Sequence, residues 1–151
     1  AVNLGSALEK ILEQARERVR GKNIELKVNM PASDLAVRAQ AGDVERIFSN
    51  LIDNAIKYTP AGGQVCLSIS ADESVVRAVV ADTGIGIDPG DHKRIFEGFF
   101  RTQSAKATGE AGTGLGLSIV RRLLERWNGG LELQSASGQG SRFVITLPRQ
   151  A

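Results

Sequence analysis

Leu4, Leu8, Ile11, Leu12, Ala15 and Val19 recur at helical spacing with Glu9, Arg16, Glu17 and Arg20 between them, which predicts an amphipathic helix over residues 4–20, stopped near Gly21. The period then falls to two. "NIELKVNM" alternates Ile24, Leu26 and Val28 with polar neighbours and reads as a strand, and "LAVRAQ" is a shorter strand candidate. A second helical stripe of Val44, Ile47, Phe48, Leu51 and Ala55 follows Asp43, which is placed to cap it, and ends before Thr59-Pro60. "QVCLSIS" and "SVVRAVVA", joined by "ADE", predict two antiparallel strands, the second apolar enough for the middle of a sheet. In a third helix, "LGLSIVRRLLERW", Leu115, Ile119, Val120, Leu123 and Trp127 face inward, and Asn128, Gly129 and Gly130 end it. "LELQSA" and "RFVITL" close the chain as a hairpin through "SGQG". The expected fold is an α+β two-layer sandwich: a mixed, mostly antiparallel sheet covered on one face by three helices.

Composition narrows the function classes. At 151 residues with 42% hydrophobic positions, one domain with its own core is expected. The formal charge of +2, from 19 basic and 17 acidic residues, is spread too evenly for a nucleic-acid surface. One cysteine, Cys66, excludes an internal disulfide, and one histidine, His92, excludes a His-rich metal cluster. No apolar run reaches the roughly 18 residues needed to span a bilayer, so no membrane contact is expected of this piece. It opens at Ala1 in helix-like sequence without Met and reads as a fragment of something longer. Glycine is high, at 17 residues, and it clusters in the segments that carry chemistry.

Four segments stand out. In "NLIDNAIKYT" (50–59), Asn50, Asn54 and Lys57 fall within about 60° on a helix, beside the apolar stripe, with Tyr58 at the border. An amide carbonyl suits Mg²⁺, a lysine suits a phosphate, and an aromatic ring suits a base; a solvated helix flank is the plain alternative. In "DTGIGI", Asp82 ends an apolar run where a carboxylate needs donors, such as a purine amine, while Gly84 and Gly86 allow close backbone approach. An Asp turn closed on its own backbone is the alternative there. "GTGLGLSIV" places Gly112, Gly114 and Gly116 directly before a helix, an arrangement suited to phosphate. It is neither the dinucleotide fingerprint nor a P-loop. "GQGSRF" (138–143) brings Ser141 near the start of the last strand; alone it fits a hairpin turn.

Together these segments resemble the catalytic, ATP-binding domain of bacterial two-component sensor histidine kinases. "NLIDNAIKYT" is similar to the N box, "DTGIGI" to the G1 box, "IFEGFFR" to the F box, "GTGLGLS" to the G2 box and "GQGSRF" to a final glycine box, in family order across residues 4–148. The resemblance implies one domain over 1–151 that binds ATP and Mg²⁺ under a mobile lid at about 88–111. Phe96, Phe99 and Phe100 are then the lid's apolar handle. It implies that Asn54 holds the Mg²⁺ with support from Asn50, that Lys57 meets phosphate and Tyr58 packs on adenine, and that Asp82 accepts from the adenine amine. Gly84, Gly86 and Ile87 would shape the base pocket; Gly112, Thr113, Gly114, Leu115 and Gly116 would wrap the phosphates, and Ser141 is a candidate binding residue as a partner for the loop or for phosphate. Arg101 resembles the lid residue that reaches phosphate, and Asn50, Lys57 and Arg101 form the implied catalytic set.

ATP-hydrolysing relatives carry a Glu general base where this chain has Asn50, and an amide cannot abstract a proton. The resemblance therefore implies transfer of the γ-phosphoryl group to a histidine on a separate two-helix dimerisation domain, absent here, and from there to a response regulator. It implies a cytoplasmic domain, monomeric in isolation and dimeric in a parent protein that can be anchored in the inner membrane. A protein-serine kinase of an anti-sigma pathway and a nucleotide-gated interaction module are the alternatives. Gly98 departs from the Pro or Arg usual after Phe-Glu in this family. His92 lacks the helical, acidic setting of a phosphoacceptor and reads as a surface residue, and Cys66 reads as a packed or half-covered thiol.

Overall fold

A computed structural model describes residues 1–32, 35–110, 112 and 114–150. The first stripe forms α1 (Leu4–Lys22), which buries Leu4, Leu8, Leu12, Ala15 and Val19. Asn3 caps it by accepting from the Ser6 N–H at 3.0 Å. The helix runs through Gly21, and Asn23, at φ 58°, takes the left-handed terminal position expected of a glycine. α2 (Ala41–Lys57) buries a wider stripe that adds Ile52 and Ile56 to the expected residues. Asp43 does not cap it, because the helix starts earlier and Gln40 holds the cap position without a side-chain bond. The carboxylate of Asp43 instead accepts from the indole of Trp127 at 2.7 Å, at the end of α4 (Gly116–Arg126).

β2 (Glu25–Asn29), β4 (Gln64–Ala71), β5 (Val75–Asp82), β7 (Ser141–Pro148) and β6 (Gly130–Ser135) form one sheet in that spatial order. The β2–β4 pair is parallel and the other three pairs are antiparallel, so the mixed sheet is as expected. "LAVRAQ" contributes β3 (Ala36–Val37), which leaves the main sheet and pairs with β1 (Val2–Asn3). Alternation buries Val65, Leu67 and Ile69 of β4, Val76, Ala78 and Val80 of β5, and Phe143, Ile145 and Leu147 of β7. α2 packs against both α1 and α4 over this face.

The register prepares the site. Asp82 pairs with Val65 and with Ser141, and Ser141 pairs with Ser135, so these side chains fall in one row at the sheet's end. Two residues beyond Val80 and two before Phe143, Asp82 and Ser141 share the helix-covered face.

The segment between β5 and α4 holds more structure than its lack of periodicity suggests. Single 3-10 turns form at Pro89–Asp91 and Arg94–Phe96, and α3 (Gln103–Ala107) is a short helix. Thr102 caps α3, accepting from Ala105 N–H at 3.0 Å, and Ala105 is buried. The three aromatics divide: Phe96 meets Phe143 edge to face at 6.4 Å, Phe100 lies under the Arg94 guanidinium at 4.4 Å, and Phe99 is 77% exposed. Gly98 has only Leu115 Cδ2 near a would-be Cβ, at 3.6 Å, an ordinary contact that does not demand glycine. His92 is half-buried, with Nε2 at 3.1 Å from the Ile87 carbonyl. Cys66 is half-covered, with Sγ at 3.6 Å from Ser68 Oγ.

Candidate functional site

A cleft of about 420 Å³ opens between the last turns of α2, the start of α4, the ends of β5 and β7, and the segment from Ile95 to Ala105. That size is typical of small-molecule sites. α2 delivers Asn50, Asn54, Lys57 and, just past its end, Tyr58 to one wall. This stretch is well anchored because each of its final carbonyls finds a donor. Asn54 O accepts from Tyr58 N–H at 3.2 Å, Ala55 O from the buried Thr59 hydroxyl at 2.7 Å, and the Ile56 and Lys57 carbonyls from Lys22 at 2.9 and 2.7 Å.

Asp82 lines the cleft where β5 ends. Burial pushes its carboxyl up to about 6, against the opposing pull of the Gly84 and Ser141 backbone N–H groups. The Gly84 bond, at 2.8 Å, is the local Asp turn weighed as the plain reading, and the carboxylate lines the cleft while making it. Gly84 itself does not line the cleft. It is buried, and a Cβ there would lie 2.4 Å from the Tyr58 carbonyl. Gly86 does line it, at φ 71°, where a Cβ would fall 2.0 Å from the Ala136 carbonyl of the β6–β7 turn, so no larger residue fits.

Ser135, which has no signature in the sequence, orders this corner. Its hydroxyl accepts from Ile87 N–H at 2.7 Å, donates to the Gly140 carbonyl at 2.7 Å and meets Ser141 Oγ at 2.9 Å. Ile85, Ile87, Ile95 and Ile119 supply apolar wall.

A second charged group lies around Gly112. A Cβ built there would stand 3.3 Å from Lys57 Nζ, 3.4 Å from Arg101 Nε and 3.4 Å from Tyr58 Oη, so two cations and a phenol converge on one point. Arg101 Nη2 donates to Tyr58 Oη at 3.2 Å and to the Glu110 carbonyl at 2.7 Å. Its Nε is buried without a hydrogen-bond partner among the described residues. Tyr58 spans the two groups, since its carbonyl accepts from Ile85 N–H at 3.2 Å, next to Asp82. Gly114 lines the cleft at φ 75°, packed against the Phe99-Phe100 backbone, and Leu115 and Gly116 follow into α4, Gly116 facing the Asn50 amide. Thr113 lies outside the described residues.

Of the residues singled out in the sequence, Asn50, Asn54, Lys57, Tyr58, Asp82, Gly86, Ile87, Arg101, Gly112, Gly114, Leu115, Gly116 and Ser141 all line this one cleft. Asp53 lines it as well and was missed, although it shares the helical spacing that groups Asn50 with Lys57; it pairs with Arg18 of α1. Among the described residues no three His, Cys, Asp or Glu side chains form a metal site. A cation beside Asn54 would take most of its shell from phosphate oxygens and water, which is how Mg²⁺ usually binds. The donor set therefore fits a metal brought in by a phosphate ligand.

Comparison with known proteins agrees with this chemistry. The family described as "Histidine kinase-, DNA gyrase B-, and HSP90-like ATPase" matches residues 39–151. Sensor histidine kinase RppB of Synechocystis sp. is 35% identical over 145 residues, 96% of this chain and 32% of that protein. The chain spans 24–36% of the length of this and other curated relatives. The solved structure of the mycobacterial sensor histidine kinase MprB superposes with a TM-score of 0.87 at 30% identity, over 99% of this chain and 97% of that one. Full-length ShkA in complex with AMPPNP does so with a TM-score of 0.84 at 34% identity, over 99% of this chain and 31% of that one.

Proposed function

The chain belongs to the family of histidine kinase-, DNA gyrase B- and HSP90-like ATPases, and from that premise we propose that it binds Mg-ATP in this cleft and donates the γ-phosphoryl group to a histidine of a separate dimerisation domain. The observation that carries the reading is Arg101 Nε, buried without an acceptor among the described residues where Lys57 and Tyr58 also converge. A buried cationic donor left unpaired by the protein is costly, and a phosphate oxygen offsets that cost. Asp82 supplies the complementary end: a carboxylate in a partly apolar corner accepts from the adenine amine.

In this assignment Lys57, Arg101 and the open backbone at Gly112, Gly114 and Gly116 hold the phosphates. Asn54 offers its amide oxygen to Mg²⁺, and Asn50 flanks it at the start of α4. Tyr58, expected along the base, has its hydroxyl on Arg101 and its ring under Lys57, at 5.8 Å. We therefore assign it to ordering the two cations. Bound with the nucleotide, Mg²⁺ would neutralise charge on the phosphate oxygens. Asn50, on the cleft wall beside Asn54, carries an amide and cannot act as a base. This favours a nucleophile supplied from outside over water.

Residues 88–111 act as the lid, loosening when the cleft empties. The parent protein is a dimer that passes the phosphoryl group from its histidine to a response regulator. No helix among the described residues is long and apolar enough to cross a membrane, and we place the domain on the cytoplasmic side of a parent that can be membrane-anchored. Mixing this chain with its parent's dimerisation domain and γ-labelled ATP tests the proposal. Label is expected on histidine; label appearing only as inorganic phosphate, at the same rate without the acceptor domain, would refute it.

A further inference from the structure

We propose that Lys22, which does not line the cleft, is a positioning residue that sets both phosphate-facing cations from behind; the inference rests on the nucleotide reading above. Lys22 is the last residue of α1, and its ammonium is shared between two other parts of the molecule, the end of α2 and the lid. It donates to the Ile56 carbonyl at 2.9 Å and to the Lys57 carbonyl at 2.7 Å, at the end of α2. It also lies 3.8 Å from a Glu110 carboxylate oxygen in the lid. The two carbonyls are hydrogen-bonded, and the Glu110 carboxylate, at 3.8 Å, is an ion-pair partner beyond hydrogen-bond reach.

Two of these contacts lead to a cation in the cleft. Lys57 carries its side chain on the same backbone unit whose carbonyl Lys22 holds, so the position of the Lys57 ammonium depends on that anchor. Glu110 accepts from Arg101 through its own carbonyl, at 2.7 Å, so fixing Glu110 fixes an acceptor of the Arg101 guanidinium. The Lys22 side chain is 31% exposed and meets two orphan carbonyls at a helix C-terminus, where positive charge is favoured. The neighbouring α1–α2 contact, Arg18 with Asp53, is a more exposed ion pair, at 44% and 57%, of the kind that contributes little. Lys22 thus joins α1, the phosphate-binding end of α2 and the lid through one group. Withdrawal of α1 would loosen Lys57 and Arg101 together.

The test is titration of the whole 151-residue chain with Mg-ATP and, separately, with adenosine, which lacks phosphates. Wild-type failure to bind Mg-ATP would remove the nucleotide reading itself, and with it this inference. With wild-type binding in hand, Lys22→Met is expected to weaken Mg-ATP about tenfold, to leave adenosine within about twofold, and to be largely rescued by Lys22→Arg. Lys22→Met binding Mg-ATP like wild type, or losing both ligands by the same factor, would overturn the positioning role. Glu110→Gln changes a half-exposed side chain and tests the lid arm independently, with an expected loss of about threefold for Mg-ATP alone. Unchanged Mg-ATP affinity in that variant would overturn the coupling to Arg101.

Discussion

Two aspartates bracket strand β5, and folding treats them in opposite ways. Asp72 sits in the turn before the strand, exposed, where one carboxylate oxygen accepts from Ser74 N–H at 2.8 Å, Val75 N–H at 2.9 Å and Ser74 Oγ at 3.1 Å. The Val75 and Ser74 backbone donors hold its carboxyl below the usual carboxylate range. Asp82 ends the same strand under α2 and α4. Burial there outweighs two backbone donors and lifts its carboxyl from 3.8 to about 6. Asp72 is satisfied by the turn it makes. Asp82 is ionised at neutral pH against the preference of its surroundings, a condition that a donor arriving from outside would relieve.

The pH dependence of folding exposes the contrast most strongly. Between 3.8 and about 6 the folded chain holds a proton on Asp82 that the unfolded chain has released. That contribution to stability is therefore present below the unfolded value and is lost as pH rises through about 6, by at most about 3 kcal/mol. Urea unfolding of wild type and Asp82→Asn across pH 4–7 should show the variant gaining on wild type as pH rises. Parallel curves would mean that the buried anion carries no cost. Next in size, Asp82→Asn should weaken adenine nucleotides about 30-fold and leave guanine nucleotides unchanged, read by competition titration. An equal loss for both bases would separate Asp82 from base recognition. Smallest is Asp72→Asn: a slight loss of stability at neutral pH that disappears as pH falls through the lowered native value, with Mg-ATP affinity untouched. If Asp72→Asn weakened nucleotide binding, the division between the two carboxylates would not hold.

Much of the cleft was legible because its residues sit in short, ordered segments whose types are unusual for their positions. Asp82 after Val79-Val80-Ala81 and glycines at 112, 114 and 116 before a helix are local signals. What escaped depends on contacts between distant segments. Asp43 resembles a cap, and only the return of α4 reveals that it serves Trp127, 84 residues away. Ser135 and Lys22 act through backbone groups brought together by the sheet register and the α1–α2 packing, which leave no trace in residue spacing. β1 and β3 are two residues each, too short to alternate. α3 had one local sign, Thr102 three residues before Ala105, but five residues carry no helical period.

The pairing of Asp43 with Trp127 also gives the chain a built-in optical gauge. Trp127 is the one tryptophan present, and its indole is held by the first turn of α2, about 20 Å along that helix from Lys57. Its emission is thus a gauge of the contact between the first turn of α2 and the end of α4, at the far end of α2 from the cleft.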